Sequence, residues 1–426
     1  MTPIFNELIS MWSDKGFDLP ISEGKYWLDN NFIQAFTHDG TLVKLWKYKV
    51  ADDLTISLTP YKGRGKQYQY NDSNFETWQE TLQRNAEHLS SLESESLSLI
   101  KQTISEYSDY DKYVLTSTGK DSMVVLDLVN RASTNIPVVF NNTSLDCSDT
   151  YKMVKAHKEW LITNPKEGFY QWIKRMNYLP TRFSRGCCTM FKERVMIHHF
   201  SKTTKKALWF MGVRNDESSS RADREDITHN PKWGNKEWFG CLPIRRWTEL
   251  DVWLYTFKYG LEINPKYRKG YRRVGCGIAC PYASKYTWVL DEYWYPVMRS
   301  RWVNIIDKDF ADNDRWVRLN CTKQEYHTCW NGGLYRQEPT EEVVQEFMNH
   351  KGIADKSIAL QYFNKACCMC GDNVRQSETI AMNLKIHGRN SEKIYCQKCL
   401  MKELEINEEE WNNTVADFKS QGCVLF

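Results

Sequence analysis

The chain has 426 residues, 41% of them hydrophobic, with 57 basic against 54 acidic side chains and a formal net charge of +3. That balance supports a packed core and excludes a disordered chain; it also excludes a global basic field, so any surface for nucleic acid has to be local. No apolar run approaches the roughly 20 residues that span a bilayer, and the segment from Met1 to Asp18 has neither the basic start nor the apolar stretch of an export signal, so a cytoplasmic protein with no membrane partner is expected.

Residues 1–106 read as an accessory region. Short strands are expected at Phe32–Phe36 and Thr41–Trp46, joined by a turn at Asp39-Gly40. The stretch Lys62 to Tyr70 is basic and aromatic; it suits a solvated hairpin tip or a loop that touches phosphates and bases. Apolar residues at Trp78, Leu82, Leu89, Leu92, Leu97 and Ile100 recur with a helical period.

Residues 107–300 alternate strand and helix. Tyr113-Val114-Leu115 is a strand, Ser122 to Ala132 a helix, Ile136 to Phe140 a strand and Ser148 to Trp160 a helix. A helix at Met190 to Phe200 and a strand at Ala207 to Met211 follow. The next helix spans Thr248 to Tyr259, with Thr248 as its cap and Asp251 in its first turn. This order predicts an α/β fold, a doubly wound and mostly parallel sheet with helices on both faces. Residues 301–365 form a Trp-rich connecting region that the pattern does not resolve into elements. Residues 366–426 read as a zinc-binding module. The 17 Trp, 23 Tyr and 18 Phe suit core and domain interfaces first, and extended binding surfaces second.

The segment Ser117-Thr118-Gly119-Lys120-Asp121-Ser122 joins the first core strand to a helix. Such a junction aims backbone N–H groups and a helix N-terminus at one point, which favours a phosphate. Lys120 adds a cation, Ser117 and Ser122 add hydroxyls, and Asp121 can help hold Mg²⁺ on a polyphosphate. The spacing is not that of a Walker loop, because no glycine stands at the required distance before Gly119-Lys120.

The loop resembles the S-G-G-x-D-S sequence of the PP-loop ATP-pyrophosphatase (adenine nucleotide alpha-hydrolase-like) superfamily. Further segments resemble its phosphoadenosine phosphosulfate (PAPS) reductase branch: Val138 to Thr143; Gly212-Val213-Arg214 with Asp216-Glu217-Ser218 and Arg221; Pro243 to Trp253; and Tyr271 to Pro281. The resemblance covers about residues 107–290. It implies an enzyme that binds ATP, or an adenine sulfonucleotide, through Ser117 to Ser122, Asn142, Gly212, Arg214 and Arg221, with Lys120, Asp121 and Arg214 in catalytic roles. For Arg214 and Arg221 the alternative is a structural ion pair to Glu217 or Glu225. Thr118 departs from the family pattern, which has glycine there; a β-branched residue disfavours positive φ.

The 14 cysteines fall in groups, and in a reducing compartment grouped thiols more often hold metal than form disulfides. Cys187-Cys188 and the pair Cys276 and Cys280 resemble the ligand set of cluster-bearing adenylyl-sulfate reductases and of the sulfur-activating subunit of DNA phosphorothioation systems. That resemblance implies a [4Fe–4S] centre. The second pair is one residue longer than usual, Cys241 is a substitute ligand, and zinc or free thiols are the alternatives. Cys367-x2-Cys370 and Cys396-x2-Cys399 suit tetrahedral Zn²⁺ and look like a treble-clef finger, with Cys368 as an alternative first ligand. His387 within Lys385 to Arg389 also occurs in nuclease versions of that fold, although a lone histidine is more often a loop residue. Contact with DNA or RNA suits the neighbourhood of Lys385, Arg389 and Lys393.

The run Lys266 to Arg273 carries five cations among aromatics. It suits phosphates and bases of DNA or RNA, the nucleotide's own phosphates, or a solvated face. The reductase nucleophile motif Glu-Cys-Gly is absent from the sequence. The leading expectation is therefore adenylylation of a nucleic-acid or nucleotide oxygen, with pyrophosphate release and sulfur delivered by a donor or partner protein. A sulfonucleotide reductase using Cys321 or Cys329 is the second reading, and a nucleotide-sensing DNA-binding regulator the third.

Overall fold

The computed structural model describes the chain apart from residues 64–65, 68–69, 134, 178, 183–184, 218–220, 222–223, 230–232, 235, 314–315, 317–318, 332–338, 364–366, 371–373, 375–376, 389–393 and 422–426. Two compact units make it up: residues 1–172 with 186–299, and residues 173–185 with 300–426.

The first unit opens with β1 (Thr2–Pro3), α1 (Asn6–Asp14), β2 (Tyr26–Asp29), β3 (Phe32–Phe36), β4 (Leu42–Val50) and β5 (Ile56–Pro60). The five strands form one antiparallel sheet in chain order. Between β3 and β4 the pairing slips: Ile33 faces Trp46, but Gln34 faces Lys44. Leu45 is the extra residue of this bulge, and it changes which side chains share a face. A two-stranded ribbon follows, β6 (Lys62–Gly63) and β7 (Lys66–Gln67).

The helical stretch after residue 75 is two helices, α2 (Trp78–Arg84) and α3 (Ala86–Glu106). Thr77 and Glu80 form a reciprocal cap at the first, and Asn85 interrupts the run, its side chain donating to the Thr81 carbonyl at 2.7 Å.

The core sheet comprises β8 (Asp111–Thr116), β9 (Val138–Asn141), β10 (Leu161–Thr163), β11 (Lys206–Met211), β12 (Ile227–Thr228) and β13 (Glu237–Cys241), in the order β10-β9-β8-β11-β13-β12. Every pairing is parallel except β12 on β13. Helices α4 (Lys120–Ala132), α5 (Ser148–Ala156), α6 (Phe169–Met176), α7 (Gly186–Cys188) and α8 (Arg194–Phe200) lie in the crossovers. On α4, Val124, Val125, Leu128 and Val129 are fully buried, each stabilising the fold by about 2 kcal/mol. The chain steps outward from β8 through β9 to β10, then returns to place β11 on the other side of β8. That reversal opens a crevice at the carboxyl ends of β8 and β11, where open α/β sheets bind ligands.

Helix α9 (Glu249–Tyr259) has the expected cap. Thr248 Oγ1 accepts from the Asp251 amide at 3.2 Å, and the Asp251 carboxylate accepts from the Thr248 amide at 2.7 Å. The unit ends with α10 (Pro265–Arg268), α11 (Lys285–Trp294) and the first residues of α12 (Pro296–Asp312). Two expected helices differ. α5 stops at Ala156 rather than Trp160, because β10 begins at Leu161 and the chain must reverse; His157 stacks on Trp160 at 4.1 Å in that turn. The helix expected from Met190 begins earlier, at Gly186, and contains one wide turn over Thr189–Glu193.

In the second unit the Trp-rich region is helical: the rest of α12, then α13 (Lys323–Cys329), α14 (Glu341–Lys351) and α15 (Lys356–Phe363). Trp302, Trp316 and Trp330 are fully buried and form its core, which explains why no amphipathic period was visible there. Helices α16 (Ser377–Ile386), α17 (Gln397–Glu403) and α18 (Glu408–Ser420) follow, packed through Met382, Leu400, Trp411 and Val415. No helix among the described residues is long and apolar enough to cross a membrane.

Candidate nucleotide and cysteine sites

The loop between β8 and α4 sits in the crevice. Thr118 is fully buried and takes a left-handed conformation, φ 58°, which costs a β-branched residue about 1–2 kcal/mol. Two contacts hold it there. Its amide donates to Thr116 Oγ1 at 3.1 Å, and its own Oγ1 accepts from Asn264 Nδ2 at 2.7 Å. Asn264 also donates to Thr150 Oγ1 at 3.1 Å. The loop therefore holds threonine in a turn that glycine would adopt without strain. Gly212, at the end of β11, is required for a different reason: a Cβ there would lie 2.6 Å from the Asp121 carbonyl carbon and 2.7 Å from the Ser122 nitrogen.

Several loop donors are already engaged inside the protein. The Ser117 amide donates to Ser122 Oγ at 3.2 Å, and the Lys120 amide to the buried Tyr267 hydroxyl at 3.1 Å. The charges close on themselves too. Lys120 Nζ lies 2.9 Å from Asp121 Oδ2 and 3.2 Å from Glu249 Oε1. Arg214 Nε lies 2.5 Å from Asp121 Oδ1, and its Nη1 meets Asp216. Burial opposes the Lys120 charge, but Tyr267, Asp121 and Glu249 outweigh it and raise the lysine's pKa. Burial likewise opposes the Asp121 carboxylate, which Lys120 and Arg214 nonetheless hold below its ordinary range. Both Asp121 oxygens are thus engaged by cations. Glu249 and Asp216 occupy the cations as phosphate oxygens would.

Two other sequence-chosen residues are engaged structurally. Asn142 shapes its own turn: its Oδ1 accepts from Ser144 N at 2.8 Å and Tyr151 Oη at 2.9 Å, and its Nδ2 donates to Asn164. Arg221 pairs with Glu217, the structural alternative. Burial first, then the repulsion of Arg224, Arg214 and Arg273, lowers its pKa, while Asp121 opposes the shift. Ser218 lies outside the described residues.

Cys187 and Cys188 on α7 meet Cys276 and Cys280 from the loop after α10. The longer spacing is absorbed by Gly275 and Gly277, at φ 63° and 73°. The Cys187 thiol is raised by Cys188 and by burial, with Cys276 and Cys280 adding. Cys276 is held well below its ordinary value, chiefly by the Cys280 thiol, against burial and with help from Lys192 and Arg273. Lys192 is itself raised first by Cys276. Lys192 neighbours Cys188, Cys276 and Cys280, and four grouped thiols with cations beside three of them suit a metal–sulfur centre. Cys241 is not among them: it lies in the sheet core beside Thr103, where burial pushes its thiol up to about 12. Sequence reading missed Lys192 and Asn264, which belong to no short motif; Glu249 within Pro243 to Trp253 and Tyr267 within the basic run were covered but given no role at the loop.

In the second unit the sulfurs of Cys367, Cys370, Cys396 and Cys399 all lie within 4.8 Å of one another, a set that could bind a metal. Burial acts against the Cys367 thiolate, yet backbone donors at Cys396, Cys370 and Met369 hold its pKa to about 6. Cys368 is exposed and outside the set. Between the two pairs runs α16, and the described residues there include no strand. His387 stacks beside Tyr395 at 5.0 Å; Gly371, Arg389 and Lys393 lie outside the described residues.

The side chains of the basic run at 266–273 are largely engaged within the protein. Tyr267 and Tyr271 are buried, so neither can stack on a base. Lys266 donates to the Val274 carbonyl at 2.6 Å, Arg268 to Glu7 at 2.6 Å, Lys269 to Asp149 and Arg272 to the Tyr48 hydroxyl. Arg272 and Arg273 are exposed, and Arg273 lies near enough to the thiols to bear on Cys276 and Cys280. Cys321 and Cys329 are 0% and 1% exposed, so neither offers a nucleophile to substrate. The stretch at 62–70 falls partly outside the described residues.

Residues 112–282 match the family model for the phosphoadenosine phosphosulfate reductase domain. The chain is 28% identical over 251 residues to an uncharacterized protein of Methanocaldococcus jannaschii, covering 57% of this chain and 60% of that protein's length. It is 26% identical over 213 residues to adenosine 5'-phosphosulfate reductase of Bacillus mycoides, covering 47% of this chain and 86% of that enzyme. Among solved structures, the phosphoadenylyl-sulfate reductase of Candida auris in a phosphate complex aligns with a TM-score of 0.35 and 16% identity, over 45% of this chain and 94% of that one; a score so low is no basis for assigning function.

Proposed function

Since this chain belongs, through residues 112–282, to the phosphoadenosine phosphosulfate reductase family of PP-loop proteins, we propose that it activates an oxygen of a nucleic acid or nucleotide by adenylylation, for replacement by sulfur. The observation that supports this reading is the grouping of Lys120, Arg214, Arg221 and Arg273. Lys120 and Arg214 meet at Asp121; Arg221 feels Arg214, Arg224 and Arg273; and Arg273 acts on the thiols of Cys276 and Cys280. This places cations that could face a polyphosphate and cations that face the thiols in one neighbourhood, which is what supports the reading.

In the proposed reaction the acceptor oxygen attacks the α-phosphorus of ATP. A new O–P bond forms, the bond to the β-phosphate breaks, pyrophosphate leaves with the electron pair, and the acceptor's proton, if any, passes to solvent. A thiolate from a sulfur donor or partner protein then attacks the atom that bears the activated oxygen and expels AMP. On binding ATP, Lys120 and Arg214 exchange Glu249 and Asp216 for phosphate oxygens, where they stabilise developing charge. Asp121 stays between the two cations and fixes their positions; Mg²⁺ would be held by the polyphosphate. Cys187, Cys188, Cys276 and Cys280 would hold a [4Fe–4S] centre, which supplies thiophilic iron beside the arginines. Cys367, Cys370, Cys396 and Cys399 would hold Zn²⁺, whose binding stabilises a segment with little core of its own.

The test is product analysis with α-labelled ATP, a nucleic-acid acceptor and sulfide. Equal AMP and pyrophosphate are expected, falling about a hundredfold or more in Lys120→Ala and Arg214→Ala. Sulfite release from adenylyl sulfate without ATP would instead identify a reductase, against the burial of Cys321 and Cys329. ATP binding without turnover under any acceptor would favour a regulator.

A further inference from the structure

Strand β4 carries lysines at 44, 47 and 49. In a regular strand Lys44 and Lys47 would point to opposite faces. The bulge at Leu45 brings them to the same one: Lys44 Nζ lies 4.3 Å, and Lys47 Nζ 5.4 Å, from the centroid of the Phe32 ring. Phe32 meets Tyr61 edge to face at 5.0 Å, and Lys44 also approaches the Tyr61 ring, at 5.8 Å. Lys49, two residues beyond Lys47, shares the face and is exposed; across from it on β5 stand Ser57 and Thr59, also exposed. Among the described residues none of the three lysines is ion-paired. The carboxylate nearest in register is Asp29, opposite Phe32, and its oxygens already engage Asn30, Gln34 and the Met1 amino group.

Two lysines gathered by a bulge around two partly exposed rings, with a third on the same face, do not serve the core, and like charges on one face repel. The combination fits a ligand with regularly spaced negative charge and flat faces. We propose that this face of the five-stranded sheet binds single-stranded nucleic acid, its lysines taking phosphates and Phe32 and Tyr61 taking a base. Lys44 to Lys49 extends over about 17 Å of strand, room for a few nucleotides. A duplex keeps its bases stacked and could use only the lysines. A lipid surface would ask for protruding apolar side chains, and no large hydrophobic residue of this sheet is more than partly exposed. None of these residues belongs to the nucleotide loop or to the basic run at 266–273.

The experiment is fluorescence anisotropy of labelled 12-nucleotide single strands, oligo-U and oligo-dT, titrated with the full chain over a salt series. Lys44→Glu/Lys47→Glu is expected to weaken binding at least tenfold, and to reduce the slope of log affinity against log salt by about 1.4, from two lost phosphate contacts. Phe32→Ala is expected to weaken it about fivefold or more with the slope unchanged, as loss of stacking predicts. Lys44→Gln/Lys47→Gln, with melting temperature followed in parallel, separates charge from misfolding. A preference between the two oligomers names RNA or DNA as the natural ligand. The proposal is overturned if the wild type fails to bind either strand at low salt, if binding is indifferent to these substitutions, or if duplex DNA or phosphatidylserine vesicles bind as tightly.

Discussion

Thr118 occupies a backbone conformation that glycine adopts freely and threonine does not, and Asn264 supplies the hydrogen bond that holds it. The two contributions are separable. Asn264→Ala leaves the buried hydroxyls of Thr118 and Thr150 short of a donor, and is expected to destabilise the chain by about 1–3 kcal/mol and to weaken ATP binding. Adding Thr118→Gly should recover much of the ATP affinity, since glycine needs no tether at positive φ. Denaturation and ATP titration on the four members of this cycle check the point; without recovery, Asn264 acts elsewhere. The sequence made Thr118 conspicuous because it breaks a known motif. Asn264 was invisible, since it lies 146 residues away and only the fold brings the two together.

At the scale of elements, the strand–loop–helix junction and the α9 cap were readable because each is a local pattern of residue types with a fixed spacing. The premature end of α5 was not, because it is dictated by the pairing of β10 with β9. Nor was the internal closure of the nucleotide loop, in which Tyr267, Glu249 and Asp216 come from three other segments. Gly212 was legible as part of a motif, but its cause is spatial: β11 passes against the start of α4. Gly212→Ala is therefore expected to push Asp121 and Ser122 aside, cost about 1–3 kcal/mol and abolish ATP binding in a chain that still folds. Melting curves with and without ATP measure both effects.

For the molecule as a whole, alternation of strands and helices revealed the parallel sheet, whereas the helical second unit escaped because its tryptophans are buried on several sides. Charge was legible as a sum of +3 and as basic runs, but not at single buried groups. Asp291 illustrates this. It accepts from the Tyr271 hydroxyl at 2.7 Å, and burial raises its pKa from 3.8 to about 6, with Lys266 opposing. The folded chain then holds a proton that the unfolded chain releases first. Stability from this group is full below about pH 4, falls as pH rises to about 6, and is level beyond, a loss of about 3 kcal/mol. The difference between wild type and Asp291→Asn in urea unfolding should show that pH slope; a flat difference would refute it.

The central claim is that Lys120 and Arg214 are held for a nucleotide by carboxylates that stand in for its phosphates. Calorimetric titration with Mg-ATP tests it directly. Lys120→Ala and Arg214→Ala should each weaken binding at least tenfold, and Glu249→Gln, which removes an internal competitor, should tighten it. Heats that are absent in the wild type, or an affinity that Glu249→Gln lowers while the cation variants leave it unchanged, would contradict the account.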